Sequence, residues 1–171
     1  MNKMSLTEAL AHYKLTLKKI EDKKRELSHY TLRPEQLVDP MLKSGSTSDA
    51  FVKAAVQAIN DLAAYALKLK AAITRANKNT TLTVNGAVMT IEDAVVWKRE
   101  VAPLLVDLYG GMLTQARNAR AQAYKPNAEA PKWVVNFDEQ EAMTKLEELK
   151  AALGRLDMDL SLLNATTLVE I

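Results

Sequence analysis

The chain has no cysteine, which removes a disulfide framework, a thiolate metal site and a cysteine nucleophile together. It is also poor in residues that interrupt regular structure, with five glycines and five prolines among 171 residues, and only 5% of its residues are aromatic. His12 and His29 are its two histidines. On one helix they would stand about five turns, or ~25 Å, apart, too far to share a metal ion. Glu26-Leu27-Ser28-His29 has no second Glu-x-x-His to make the pair a di-iron bundle needs, and no His-Glu-x-x-His motif or phosphate-cradling glycine loop occurs. The sequence therefore nominates no catalytic, cofactor-binding or metal-ligating residue, and a non-enzymatic protein is expected.

Long apolar runs are missing as well. No window approaches the ~18 apolar residues of a membrane span, and Met1-Asn2-Lys3-Met4-Ser5 leads into an amphipathic stretch rather than a signal-peptide core. The expected location is cytoplasmic, or a virion if the chain is phage-encoded. The net charge of +2 is too small to mark a dedicated nucleic-acid binder.

What remains is Ala, Leu, Lys and Glu in helical patterns. Leu6, Leu10, Tyr13, Leu17, Ile20 and Leu27 alternate steps of four and three, with Lys24 at the skipped position. Val52, Ala55, Ile59, Leu62, Ala66, Leu69 and Ile73 do so without a gap, as do Ala142, Leu146, Leu149, Leu153, Leu156, Leu160 and Leu163. A stripe repeating every ~3.5 residues keeps facing one neighbour along its length. Ala94, Trp97, Val101, Leu104 and Leu108 hold the same register, but Pro103 and Gly110-Gly111 interrupt it. A kink or hinge is expected between Pro103 and Gly111. Helix starts are marked by Ser5 with Glu8, Thr90 with Asp93 and Asp138 with Glu141, and by Ser46 or Ser48 for the second helix.

Asn85-Gly86 predicts a type I′ hairpin within 81–90, pairing Val84 with Ala87 and Leu82 with Met89. The expected fold is mainly α: one domain over 1–171, an antiparallel bundle of about four long coiled-coil-like helices, with the hairpin between helices two and three. Long loops are expected near 31–47 and 125–137. Trp133-Val134-Val135 reads as a short strand able to pair with the hairpin, and Leu168-Val169-Glu170-Ile171 as a tail that packs or adds as a strand.

Ile73-Thr74-Arg75-Ala76-Asn77-Lys78-Asn79-Thr80, with Gly86, Met89-Thr90, Asp93-Ala94 and Arg99, resembles the septicolysin-like small helical proteins of bacteria and phages. Leu163-Asn164-Ala165-Thr166-Thr167 resembles the C-terminal segment of the same proteins. The resemblance implies a coiled-coil-like helical fold with a hairpin and brings no catalytic residues.

These readings favour a structural or assembly protein, plausibly a phage virion component, acting through protein–protein contacts as a homo-oligomer or in a larger assembly. Leu82, Val84, Asn85, Gly86, Met89 and Trp133 are the expected partner-binding residues. The alternative is a nucleic-acid accessory protein using Lys18, Lys19, Lys23, Lys24, Arg117 and Arg120, with Lys125 beside the last pair. A third reading is a small-molecule-binding bundle with a pocket near Tyr65, Trp97 and Tyr109.

Overall fold

The structure, a computed structural model, describes residues 3–123 and 133–171. Met1, Asn2 and residues 125–132 of the expected loop, Lys125 among them, lie outside the described residues. The fold is mainly α. In chain order the elements are β1 (Lys3–Ser5), α1 (Leu6–Ser28), a 3-10 turn (Pro40–Ser44), α2 (Ser48–Asn79), β2 (Thr81–Val84) and β3 (Ala87–Thr90). There follow α3 (Ile91–Val96), a π-helical turn (Trp97–Val101), α4 (Ala102–Ala123), α5 (Glu139–Thr166) and β4 (Leu168–Glu170). The chain divides into two compact units, one of Met1–Ala76 with Leu163–Ile171 and one of Asn77–Leu162. It passes from one to the other inside α2 and inside α5.

In the first unit Ser5 caps α1 through a complete capping box. Its hydroxyl accepts from the Glu8 amide, and the Glu8 carboxylate accepts from the Ser5 amide at 2.7 Å. That amide, followed by the Ser5 hydroxyl and His12, holds the Glu8 carboxyl below its usual pKa. The tail Leu168–Glu170 does add as a strand, antiparallel to β1, with Met4 opposite Val169. The Leu6 amide donates to the Thr167 carbonyl at 2.9 Å, and Lys3 pairs with Glu170 at 2.8 Å. Leu6 and Val169 are fully buried at this closure.

α1 and α2 run antiparallel in this unit. The Tyr13 ring lies 6.0 Å from the Lys70 ammonium, and the Tyr30 and Phe51 rings are 4.7 Å apart. All seven stripe positions of α2 are buried or half-buried. The line on α1 differs from the expected one. Leu6, Tyr13, Ile20 and Leu27 belong to it, but the positions between are Ala9, Thr16 and Lys23, each one residue before Leu10, Leu17 and Lys24. Both spacings fit a turn of about 3.6 residues. Small Ala9 and Thr16 let the helix sit close to its neighbours, and Leu17 stays exposed. The Thr16 hydroxyl is satisfied inside the helix by donating to the His12 carbonyl at 2.8 Å, so its burial strands no polar group.

The 31–47 segment is organised by Asp39. Its carboxylate accepts from the Met41 amide (2.9 Å), the Ser48 amide (2.8 Å) and the Ser48 hydroxyl. The Ser48 hydroxyl, then the Ser48 and Met41 amides, depress the Asp39 pKa. Because Asp39 occupies Ser48, the capping side chain of α2 is neither Ser46 nor Ser48. Thr47 takes that place, its hydroxyl accepting from the Ala50 amide at 3.2 Å. Gly45 closes the 3-10 turn at φ +75°, which its missing Cβ permits.

The second unit begins at the hairpin. Asn85 (φ 50°) and Gly86 (φ 80°) form the turn, and Leu82 faces Met89 while Val84 faces Ala87, as the sequence predicts. The sheet has these two strands only among the described residues, and Trp133-Val134-Val135 forms no strand with it. Thr90 caps α3 by accepting from the Asp93 amide at 3.1 Å. Asp138 caps α5, accepting from the amides of Gln140 (2.8 Å) and Glu141 (3.0 Å). α5 runs antiparallel to the α3–α4 stretch, tied by ion pairs of Lys98 with Asp157 and of Arg120 with Glu139. Its expected stripe is buried or half-buried throughout.

The interruption expected between Pro103 and Gly111 lies earlier, in the Trp97–Val101 turn, and α4 continues through Gly110-Gly111 without a break. The Ala102 amide donates to the Trp97 carbonyl, five residues back. Widening the turn before Pro103 accommodates a residue with no N–H and a bulky ring. A π turn takes one more residue than an α turn, so the buried line slips by one. It continues as Ala102, Leu105, Tyr109, Met112 and Ala116. Val101, Leu104 and Leu108, expected inside, are 42%, 70% and 53% exposed.

Deleting Arg99, inside the π turn, therefore removes the surplus residue and leaves both flanking faces aligned. Deleting Asp107, in α4, rotates all that follows by about 100°. Comparison of unfolding midpoints is expected to show a far larger loss for the Asp107 deletion, and equal losses would refute this origin of the register. For Asp39, a depressed pKa means that its hold on the loop is complete above the ordinary aspartate range. That hold is lost as pH falls through the lower folded value. Hydrogen exchange at the Met41 and Ser48 amides should accelerate selectively over that acid range, and Asp39→Asn should show accelerated exchange at neutral pH.

Candidate interaction surface

The hairpin presents its two strands differently. Leu82 and Val84 are buried, so they hold the hairpin to its own chain and are not exposed anchors for a partner. Thr83, Val84 and Asn85 meet Ala152, Arg155, Leu156 and Asp159 of α5 around a small cavity of about 70 Å³. Met89 is half-buried, while Asn85, Gly86, Ala87 and Val88 face outward. Of the expected partner-binding residues on the hairpin, only the turn itself is open.

Trp133 is exposed on the rim of a groove of about 460 Å³ between the C-terminal half of α4 and the 133–137 segment. Gln115, Asn118, Gln122 and Asn136 supply neutral amides there, and Ala119 and Val135 supply apolar floor. Among the described residues no ionisable one lines it. Trp133 and the hairpin are thus separate features of the second unit.

The basic residues are not gathered into one patch. On a helix turning about 100° per residue, Lys14, Lys18 and Arg25 share one side of α1, Lys19 and Lys23 another, and Lys24 a third. Lys23 is half-buried on the inner line. Lys24 and Arg25 pair with Glu21 and Asp22, each at 3.9 Å. Arg117 and Arg120 border a cavity of about 360 Å³ with Leu113, Glu139, Gln140 and Met143. Glu139 already neutralises Arg120. Tyr65 belongs to the first unit, Trp97 and Tyr109 to the second. Among the described residues no group of three or more His, Cys, Asp or Glu is arranged to hold a metal ion, and no helix is long and apolar enough to cross a membrane.

The surface that the sequence did not disclose is the strip Val101, Leu104 and Leu108. Three large aliphatic side chains at i, i+3 and i+7, Val101 at the end of the π turn and Leu104 and Leu108 in α4, point to solvent. Gly111 continues that line, and open space surrounds the position its Cβ would take. Aliphatic residues at seam spacing are ordinarily buried. Here the π turn has carried them out of the seam. The signal available in the sequence was Pro103, read there as a kink rather than as an insertion of one residue.

No family model matches this chain, and no curated protein matches it in sequence. A solved structure does resemble it, the crystal structure of a functionally unknown conserved protein from Corynebacterium diphtheriae. The TM-score is 0.58 at 21% identity, covering 99% of this chain and 100% of that one. The likeness is one of fold.

The two sides of the hairpin give a direct check. Val84→Asp places a carboxylate in a buried site and is expected to cost roughly 3 kcal/mol or more in denaturant unfolding. Val88→Asp, on the open side, should stay within about 0.5 kcal/mol of wild type. Equal effects would mean that the buried strand is not what fastens the hairpin.

Proposed function

We propose that this protein is a non-enzymatic assembly or adaptor subunit that works through protein–protein contacts. The observation that carries this reading is the exposed aliphatic strip on α4. Water-facing Val101, Leu104 and Leu108 gain free energy on being covered, at roughly 25 cal/mol per Å² removed from water. α4 holds Leu104 and Leu108 in fixed spacing, with Val101 one turn before Leu104 at the end of the π turn. The groove beside Trp133 adds a second surface on the same unit, lined among the described residues by amides and apolar side chains. A component of a phage particle is one setting for such a subunit, and the resemblance to septicolysin-like proteins of bacteria and phages supports it.

Recognition through a charged surface has less support, because the lysines of α1 are spread around the helix and Arg120 is already paired. Affinity purification of the tagged chain from its own cells, after mild cross-linking, is expected to recover a stoichiometric protein partner. The substitutions Leu104→Asp and Leu108→Asp together should remove it while leaving the circular dichroism spectrum and unfolding midpoint nearly unchanged. Retention of every partner by this double variant, or recovery of none by the wild type, would overturn the reading.

A further inference from the structure

The strip on α4 has a chemical character beyond being apolar, and it narrows the partner. Counting about 100° per residue within α4, Asp107 lies along the open edge of the strip, next to Leu104 and away from the buried line. Glu100, in the π turn, directly precedes Val101 at the start of the strip. Both are exposed, and neither pairs with a base among the described residues. Lys98 is engaged with Asp157. Arg117 falls on the opposite side of the buried line. The charged residues next in the chain to Val101 and Leu108 are thus the acids Glu100 and Asp107.

In helix pairing the positions beside an apolar seam set partner choice by charge. A second copy of this strip would bring the same acids to the interface, which works against self-pairing. Resting on the assembly reading above, we infer that the strip docks a basic amphipathic helix of another protein, with aliphatic residues at seam spacing and Lys or Arg beside them. Gly111, the next position along the line, leaves room for one bulky apolar residue of that helix. The helix lies along α4 from Val101 to Gly111, its cations beside Glu100 and Asp107.

Two fluorescein-labelled amphipathic peptides test this, both with Leu at the seam positions, one flanked by Lys and one by Glu. Anisotropy titrations of the full chain at low salt should show the Lys peptide binding tighter by on the order of tenfold. Raising the salt should shrink that preference. The charge-reversed protein, Glu100→Lys with Asp107→Lys, should invert it. Gly111→Trp should block the peptide while leaving the unfolding midpoint at or above wild type, since the added side chain enters open space. Failure of both peptides to bind, or equal binding of both, would overturn the inference. Light scattering separates this from the broader reading. A dimer that Leu104→Asp dissolves would make a second copy the occupant, refuting the basic partner while leaving an assembly role intact.

Discussion

A helix that is buried along its length can offer its neighbours only one continuous face, and the 91–123 stretch cannot satisfy that rule with a uniform α-helix. Pro103 denies it a hydrogen bond, and the turn before Pro103 widens to hold one residue more. Everything after that point depends on the widening. Ala102, Leu105, Tyr109 and Ala116 form the inner line because of it, and Val101, Leu104 and Leu108 are outside for the same reason. The ion pair of Lys98 with α5 lies within the π turn and that of Arg120 beyond it, so the slip is built into the pairing of α5 with this stretch.

The first unit is shaped by smaller devices. Ser5 and Glu8 exchange hydrogen bonds at the start of α1, and Asp39 gathers two amides and a hydroxyl to fold a loop rich in exposed aliphatic residues. Ala9 and Thr16 bring α1 close along its inner line. They fix backbone geometry.

Local signals were legible in the sequence and long-range ones were not. The caps at Ser5, Thr90 and Asp138 and the pairing around Asn85-Gly86 involve residues within a few positions of each other, and the structure has them as read. The stripes of α2 and α5 were legible because no competing spacing exists in them. The cap of α2 was not, because Asp39, nine residues before Ser48, takes that hydroxyl. On α1 the larger leucines drew attention from the smaller residues that lie inward. The aliphatic strip was misread for the reverse reason. Its spacing is that of a seam, and only the extra residue upstream, whose position no local pattern marks, turns it to solvent.

The pairing of β1 with β4 also bears on the order in which the protein matures during synthesis. The second unit is one uninterrupted stretch, Asn77–Leu162, whereas the first is assembled from both sides of it. The Leu6 amide waits for the Thr167 carbonyl, and Met4 for Val169. α1 is made before the second unit, whereas β4, the strand that closes the start of α1, is made only after the whole of it.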